Sequence, residues 1–219
     1  MTGRWIDVSV PLEGGMVTWP GDEEVRVERL QEVGRGDPCT LTRLVLGTHA
    51  GTHVDAPSHY LPGGVTLDAM PPEAMLGPAR VIAIGNPVAV TPRELARHRI
   101  RRGERLLLRT RNSRRRWWES PFAEDYVFVS PAAARWLAER QVRCVGIDAL
   151  SVGGFREGGR ETHEALLGAG IWIIEGLALT AVRPGPVDLV CLPLRIPGAE
   201  GAPARAMVRE RRARLRKRV

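Results

Sequence analysis

Cysteine is scarce in this chain of 219 residues, and long apolar runs are missing. Cys39, Cys144 and Cys191 lie far apart and form no Cys-x-x-Cys pair. We therefore expect reduced, mostly buried thiols and do not expect a cysteine-based zinc site. No apolar stretch approaches the roughly 20 residues that a membrane-spanning helix needs. Because the first residues also lack an apolar signal core, we expect a cytoplasmic protein without a membrane segment.

Lysine is almost absent, and the net charge of +7 comes from unevenly distributed arginines. Residues 209–219 hold seven basic residues and one glutamate, a net +6, which leaves +1 for residues 1–208. We therefore expect one domain over residues 1–208, followed by a basic tail over residues 209–219. A near-neutral domain disfavours a specific nucleic-acid partner. Salt-dependent nucleic-acid binding through the tail and the arginine- and tryptophan-rich residues 114–118 is the less favoured alternative.

Short apolar or alternating segments outnumber helical patterns and predict a protein rich in β-strands. Thr91 and Ser130 stand where helices begin, each followed by a proline, and a third helix or turn is expected over residues 161–167. Helices that occur singly between strands indicate a mixed α/β domain with a largely continuous sheet. The predicted strands cover residues 6–10, 25–30, 39–46, 79–84, 105–110, 126–129, 144–148, 171–175, 187–192 and 206–208.

Three of the five histidines fall within residues 47–59, together with an aspartate. They are His49, His53 and His59, and Asp55 lies between the last two. Glycine, threonine and proline make the segment a poor helix former, so His49 and His53 are not a helical pair. If residues 53–55 are extended, His53 and Asp55 share one face. Neutral imidazole and carboxylate are ligands that divalent metals prefer, and we interpret the segment as a metal site.

Two candidate ligands lie far along the chain. Glu175 ends an apolar strand, where an unpaired carboxylate would be costly, and His163 lies twelve residues before it. Five ligands would suit two bridged ions or one ion of higher coordination. A bound ion would lower the pKa of water toward ~7. His59 is either a further ligand or a proton shuttle, since imidazole titrates near pH ~6.5, whereas His98 stands among arginines and is expected at the surface.

The histidine-rich segment resembles the signature of a known family. Residues 49–59 read His-Ala-Gly-Thr-His-Val-Asp-Ala-Pro-Ser-His. They match the pattern His-x-Gly-Thr-His-x-Asp-x-Pro-x-His of the cyclase-like metal-dependent hydrolases, among which the bacterial kynurenine formamidases (arylformamidases) are the most similar branch. Weaker matches, such as residues 6–9, 19–22, 145–148 and 201–206, extend the resemblance over most of residues 5–209.

The resemblance implies a swivelling β/β/α-type domain that assembles as a homodimer or homotetramer. It implies a divalent metal, zinc or sometimes manganese, with one or two ions. The implied reaction is hydrolysis of N-formyl-L-kynurenine to L-kynurenine and formate in tryptophan degradation. The implied roles are metal ligation by His49, His53, Asp55, His163 and Glu175, acid–base catalysis by His59, and contact of Trp19 with an aromatic substrate.

This sequence departs from the family pattern at two places near the expected pocket. Glu164 stands where the family often has a second histidine, and Gly153 and Gly154 follow Ser151-Val152 where an acidic residue is common. These departures concern the substrate more than the metal. Opening of isatin or another cyclic amide or lactone is therefore the alternative activity, and a metal-binding fold without activity is a third possibility.

Overall fold

The computed structural model describes residues 3–114 and 116–211. Within them the chain forms twelve strands and four α-helices, with short 3-10 turns between. In chain order they are β1 (Trp5–Asp7), β2 (Arg26–Gln31), β3 (Leu41–Val45), β4 (His53–Asp55), α1 (Pro72–Met75), β5 (Leu76–Ala83), β6 (Ala89–Val90), α2 (Pro92–Leu95), β7 (Arg105–Arg109), β8 (Phe128–Val129), α3 (Pro131–Glu139), β9 (Cys144–Ile147), α4 (Gly159–Gly168), β10 (Trp172–Glu175), β11 (Gly185–Pro193) and β12 (Gly201–Glu210).

Seven strands close into a barrel-like sheet. Their order is β12-β11-β5-β7-β9-β10-β4, and β4 pairs back onto β12, while β1 adds to the free edge of β12. The run β5-β7-β9-β10 is parallel and the other pairings are antiparallel. The predicted mixed α/β fold is confirmed, and the main sheet is closed rather than open. The hairpin β2–β3 and the pair β6–β8 lie outside it.

Alternating side chains divide the core between the two faces of the barrel wall. Leu107 and Ile174 belong to a buried cluster to which all seven ring strands contribute, and which fills the interior. Leu106 faces the opposite way and packs with Leu137 of α3 and Leu166 of α4. The helices therefore cover the outer face of the parallel strands, and a residue on that face lies between a strand and a helix.

The two predicted helix starts are confirmed by their caps. The side chain of Thr91 accepts a hydrogen bond from the backbone N–H of Glu94, and that of Ser130 accepts one from Ala133. Both caps satisfy a donor that the first turn of a helix leaves free. The helix after Thr91 lasts one turn, whereas the one after Ser130 extends to Glu139.

Strand boundaries differ from prediction at both ends of the domain. The first strand is shorter than predicted and ends at Asp7, whose Oδ1 accepts the backbone N–H of Ser9. The last strand is much longer than predicted and runs over Gly201–Glu210. Its glycine, proline and alanine residues have weak strand propensity, so pairing with β11, β4 and β1 sets its length. The strand continues through Glu210, and residues 212–219 of the predicted tail lie outside the described residues.

The cysteines form no disulfide bond among the residues that the structure describes. All three cysteines are free, with Cys144 and Cys191 buried and Cys39 exposed. Burial raises the pKa of Cys144 to about 12 and raises that of Cys191 as well, so both stay thiols. In the part of the chain that the structure describes, no helix has the length and apolar character to cross a membrane.

Candidate metal centre

The centre forms where β4 pairs with β10 on the outer face of the barrel. His53 lies opposite Glu175 in the antiparallel register. Val54 points into the barrel core, so His53 and Asp55 on either side of it point outward, as expected from an extended segment. His53, Asp55 and Glu175 are all buried, and their side chains meet beneath α4.

Close packing of the chain on either side of the strands fixes this pairing. Thr52 donates its hydroxyl to the carbonyl of Gly176 (2.6 Å) and accepts the N–H of Val10 (2.9 Å). Gly176 has a φ of +71°, and a Cβ there would lie 2.2 Å from the carbonyl oxygen of Gly51. Only glycine fits that approach. The segment before β4 is thereby locked onto the end of β10, which carries Glu175.

Two histidines are held by the backbone in the same tautomer. Nδ1 of His53 lies 2.9 Å from the carbonyl oxygen of Gly51, and Nδ1 of His163 lies 2.7 Å from that of Gly159. A carbonyl oxygen only accepts, so each Nδ1 carries the proton and each Nε2 presents a lone pair. Metal-binding histidines are commonly oriented by such a hydrogen bond from the other ring nitrogen.

Both Nε2 atoms face the two carboxylates. Nε2 of His53 lies 3.2 Å from Oε2 of Glu175 and 3.3 Å from Oδ1 of Asp55. Nε2 of His163 lies 3.1 Å from Oε1 of Glu175 and 3.7 Å from Oδ2 of Asp55. A lone pair that faces a carboxylate at this distance is favourable only with a proton or a metal ion between them.

The residues present fit a divalent ion. Nε2 of His53 and Oδ2 of Asp55 are buried without a hydrogen-bond partner. Two groups have ligand atoms that all lie within 4.8 Å of one another: His53, Asp55 and Glu175, and His49, Asp55 and His59. Unpaired buried polar atoms are costly, and an ion would satisfy them. Because the groups share Asp55, the cluster can accommodate one ion or two bridged ions.

The charges in the cluster favour a cation. Burial opposes a charge on His53, yet Asp55 and Glu175 outweigh it and raise its pKa to about 10. Burial likewise opposes ionisation of Asp55, but hydrogen bonds with His49 and His53 hold its pKa well below the usual value. The histidines also keep the pKa of Glu175 low, against burial and the charge of Asp55. The buried carboxylates are therefore ionised and need positive charge beside them.

Two residues position Glu175 and had no predicted role. The backbone N–H of Val152 donates to Oε1 of Glu175 at 2.5 Å, and the hydroxyl of Ser151 lies 3.5 Å from the same oxygen. Ser151-Val152 follows β9, whose neighbour in the sheet is β10. The sequence marks this pair only as a family match. Its contact with Glu175 depends on the parallel pairing of the two strands.

The centre opens into a pocket of about 140 Å³ with aromatic walls. Trp19 lies in this lining and packs edge-on against Phe122 and Phe155, at 5.5 and 5.3 Å between ring centroids. Tyr60, which the sequence did not single out, stacks on His163 at 4.3 Å with 15° between the rings. A flat apolar group has aromatic partners here within reach of the cluster.

His59 stands at the boundary between the cluster and the pocket. Its ring stacks on that of His49 at 4.1 Å and meets Tyr60 edge-on at 4.5 Å. Burial lowers the pKa of His59 below its usual value, so the neutral ring prevails near pH 7. His98 is remote from the cluster and partly exposed, and its carbonyl accepts a hydrogen bond from Arg80.

The arginine- and tryptophan-rich loop packs against the domain. Trp117 and Trp118 contact a small apolar cluster that contains Val10 and Met16, and Arg116 forms an ion pair with Glu119. Arg115 lies outside the described residues. Side chains that cover an apolar cluster are not free to stack on nucleic-acid bases, which weakens the nucleic-acid alternative.

A cluster of this composition, on a mixed α/β barrel and open to a small pocket, places the chain in the class of metal-dependent hydrolases. The model of the family described as "Putative cyclase" matches residues 6–153. The chain belongs to this family, and the resemblance seen in its sequence is confirmed.

Individual relatives agree with this membership. A kynurenine formamidase of Bacillus cereus is 32% identical over 208 residues, which cover 95% of this chain and 98% of that protein. A predicted metal-dependent hydrolase from Bacillus stearothermophilus has 32% identity and a TM-score of 0.84, covering 96% of this chain and 100% of the other. Isatin hydrolase A from Labrenzia aggregata, bound to benzyl benzoate, has 26% identity and a TM-score of 0.81, covering 94% and 93%.

Proposed function

We propose that this protein is a metal-dependent amidohydrolase that converts N-formyl-L-kynurenine to L-kynurenine and formate. The observation that carries the proposal is the buried group of His53, Asp55 and Glu175, which opens into an aromatic pocket containing Trp19. The identity of 32% to the Bacillus cereus kynurenine formamidase over almost the whole of both chains supports the substrate.

In this proposal five side chains hold one or two divalent ions, zinc or alternatively manganese. Imidazole and carboxylate suit both metals. When bound, the ion polarises the amide carbonyl and makes water acidic enough to supply a nucleophile at neutral pH. The proposed ligands are His49, His53, Asp55, His163 and Glu175.

His59 is the proposed proton carrier, and Trp19 the proposed contact for the aryl ring. His59 lies in the pocket wall next to the cluster, and its lowered pKa leaves the ring neutral and able to accept a proton. It takes the proton released as water adds to the amide, and donates it to the departing aryl nitrogen. Trp19 offers the ring an apolar surface whose orientation is fixed by Phe122 and Phe155.

Opening of isatin or a related cyclic amide or lactone is the alternative activity. The likeness to isatin hydrolase A from Labrenzia aggregata supports it, and the departures from the family pattern near the pocket concern the choice of substrate. Glu164 pairs with Arg160 at 3.1 Å and is not part of the cluster. A Cβ at Gly153 would lie 2.7 Å from the backbone of Gly159, so the acidic residue common in the family does not fit here.

Homodimer or homotetramer assembly is also part of the proposal. The hairpin β2–β3 is a separate two-stranded sheet, and its apolar side chains are between 44% and 56% exposed: Val27, Leu30, Leu41 and Leu44. A two-stranded sheet is marginally stable by itself in water, and contact with a second copy would cover these side chains. The cytoplasmic location stays a prediction.

The test is turnover of N-formyl-L-kynurenine and of isatin, with metal content measured on the same sample. We expect hydrolysis of N-formyl-L-kynurenine that is lost on chelation and restored by zinc or manganese. His53→Ala should lose metal and activity, while the control His98→Ala should keep both. Full-rate turnover by metal-free protein would refute the mechanism, preference for isatin would favour the alternative, and bound metal without turnover of either substrate would indicate an inactive metal-binding fold.

A further inference from the structure

His49 differs from the other two buried histidines because no carbonyl selects its tautomer. Its Nδ1 is within hydrogen-bond distance of Oδ1 of Asp55 (3.0 Å), whereas its Nε2 is buried, makes no hydrogen bond, and lies 3.4 Å from Oε1 of Glu200. A neutral imidazole carries a single N–H and can donate to only one of these carboxylates. The carboxylate that accepts this N–H therefore determines which ring nitrogen keeps a lone pair for a metal ion.

The two carboxylates are placed differently with respect to the centre. Asp55 is fully buried and belongs to both groups of possible metal ligands, whereas Glu200 belongs to neither. Oε1 of Glu200 already accepts the hydroxyl of Thr48 at 2.6 Å, which fixes the carboxylate beside the ring. Its backbone carbonyl accepts the N–H of Ala56 at 2.8 Å, which ties the residue to the end of β4.

We propose that Glu200 is a positioning residue that holds His49 as its Nε2–H tautomer, so that Nδ1 and Asp55 face the metal together. A cation held by Asp55 would take the place of the hydrogen bond between Nδ1 of His49 and Oδ1 of Asp55, and the single N–H of His49 would then be Nε2–H, directed at Glu200. The arrangement is the reverse of that at His53 and His163, where a carbonyl holds the proton on Nδ1. This inference rests on the proposed metal centre.

The backbone next to Glu200 supports the same orientation. Gly201 follows it at the start of β12, opposite Asp55 in the register. A Cβ on Gly201 would lie 2.7 Å from Cε1 and 3.0 Å from Nε2 of His49. Because Gly201 has no side chain, there is room for the Nε2 edge of the His49 ring beside Glu200, whose carboxylate would accept a hydrogen bond from Nε2–H. A carboxylate that orients a ligating histidine in this way typically contributes 10–100-fold to metal affinity.

The direct test is a two-bond 1H–15N correlation spectrum of the 15N-labelled, zinc-loaded protein, with the His49→Gln variant used for assignment. The expected spectrum shows His49 with a protonated Nε2 and a metallated Nδ1, and His53 and His163 with the opposite pattern. A protonated Nδ1 on His49 would overturn the proposal. Absence of zinc binding by the wild-type protein would instead overturn the metal centre itself, together with the proposed function.

Zinc affinity, measured by competition with a chromogenic chelator, gives an independent readout. Glu200→Ala should weaken binding by roughly 10–100-fold. Glu200→Gln keeps an acceptor oxygen and should restore most of that affinity, and Thr48→Val, which releases the carboxylate, should lower affinity less than Glu200→Ala.

The control is Asp68→Asn. Asp68 accepts the N–H of Gly198 at 3.0 Å and so anchors the same loop, but it forms no contact with His49. We expect the zinc affinity of Asp68→Asn to stay within about twofold of wild type, because an exposed polar contact of this kind contributes little to stability. Wild-type affinity in Glu200→Ala, or an equal loss in Asp68→Asn, would overturn the role of Glu200 and leave the metal centre standing.

Discussion

Replacing Gly201 with alanine would place a methyl group against the imidazole of His49. The new Cβ would lie 2.7 Å from Cε1 of the ring and 3.0 Å from the carbonyl oxygen of Val54. The carbonyl is part of the paired backbone of β4 and β12, so the ring is the group that yields. It must move by roughly 0.7 Å to reach the 3.4 Å of ordinary contact.

Two effects of different size follow from this displacement. Overpacking of this kind costs about 1–3 kcal/mol of folding free energy, and the lower part of that range applies because the His49 side chain is 17% exposed and can shift. A displacement near 1 Å in a catalytic group can cost on the order of 100-fold in rate. We therefore expect Gly201→Ala to remain folded, with zinc affinity and amidase activity reduced by roughly 10–100-fold.

The assays are chelator competition for zinc, turnover of N-formyl-L-kynurenine and thermal unfolding in the presence of EDTA. Gly47→Ala is the matched control, because it lies two residues from His49 and a Cβ there would meet no atom within 4 Å. Wild-type zinc affinity in Gly201→Ala would refute the reasoning. So would an equal loss in the control, since the effect would then come from the flexibility of glycine rather than from contact with the ring.

Two further predictions concern pH. Because burial lowers the pKa of His59 and a bound cation would lower it further, kcat/KM should fall on the acid side with an apparent pKa below 6.5. A pH–rate profile checks this, and His59→Gln should remove that limb; an unchanged limb would exclude His59 as its origin. In metal-free protein the pKa of His53 is raised to about 10, so its stabilising charge is fully present below pH 6.5 and lost as pH rises toward 10. Tm measured in EDTA should decline across that window, with a smaller decline when zinc is bound; a flat Tm in EDTA would contradict the stabilisation of charged His53 by Asp55 and Glu175.

The sequence located one half of the centre in detail. The spacing of His53 and Asp55 determines that they share a face once the segment is extended, because side chains alternate along a strand. The poor helix formers around them determine that the segment is not helical. These are properties of neighbouring residues, and the structure shows strand β4 over His53–Asp55.

Contacts between segments that are distant in the sequence could not be predicted in the same way. The strand Gly201–Glu210 was predicted over three residues because its own composition disfavours a strand, and its pairing with three neighbours decided its length. Tyr60 and Glu200 carried no pattern that distinguishes them from ordinary polar residues. Their roles follow from stacking on His163 and from contact with His49, which exist only in the folded chain.

Residues 49–59 by themselves indicated a divalent-metal site, since imidazole and carboxylate at these intervals suit such an ion. The sequence also placed His163 and Glu175 among the candidates. Only the tertiary structure decided how they meet. Closure of the barrel sets β4 against β10 with His53 opposite Glu175, and α4 brings His163 over both. The register between strands more than a hundred residues apart depends on the packing of the whole sheet, which no local pattern encodes.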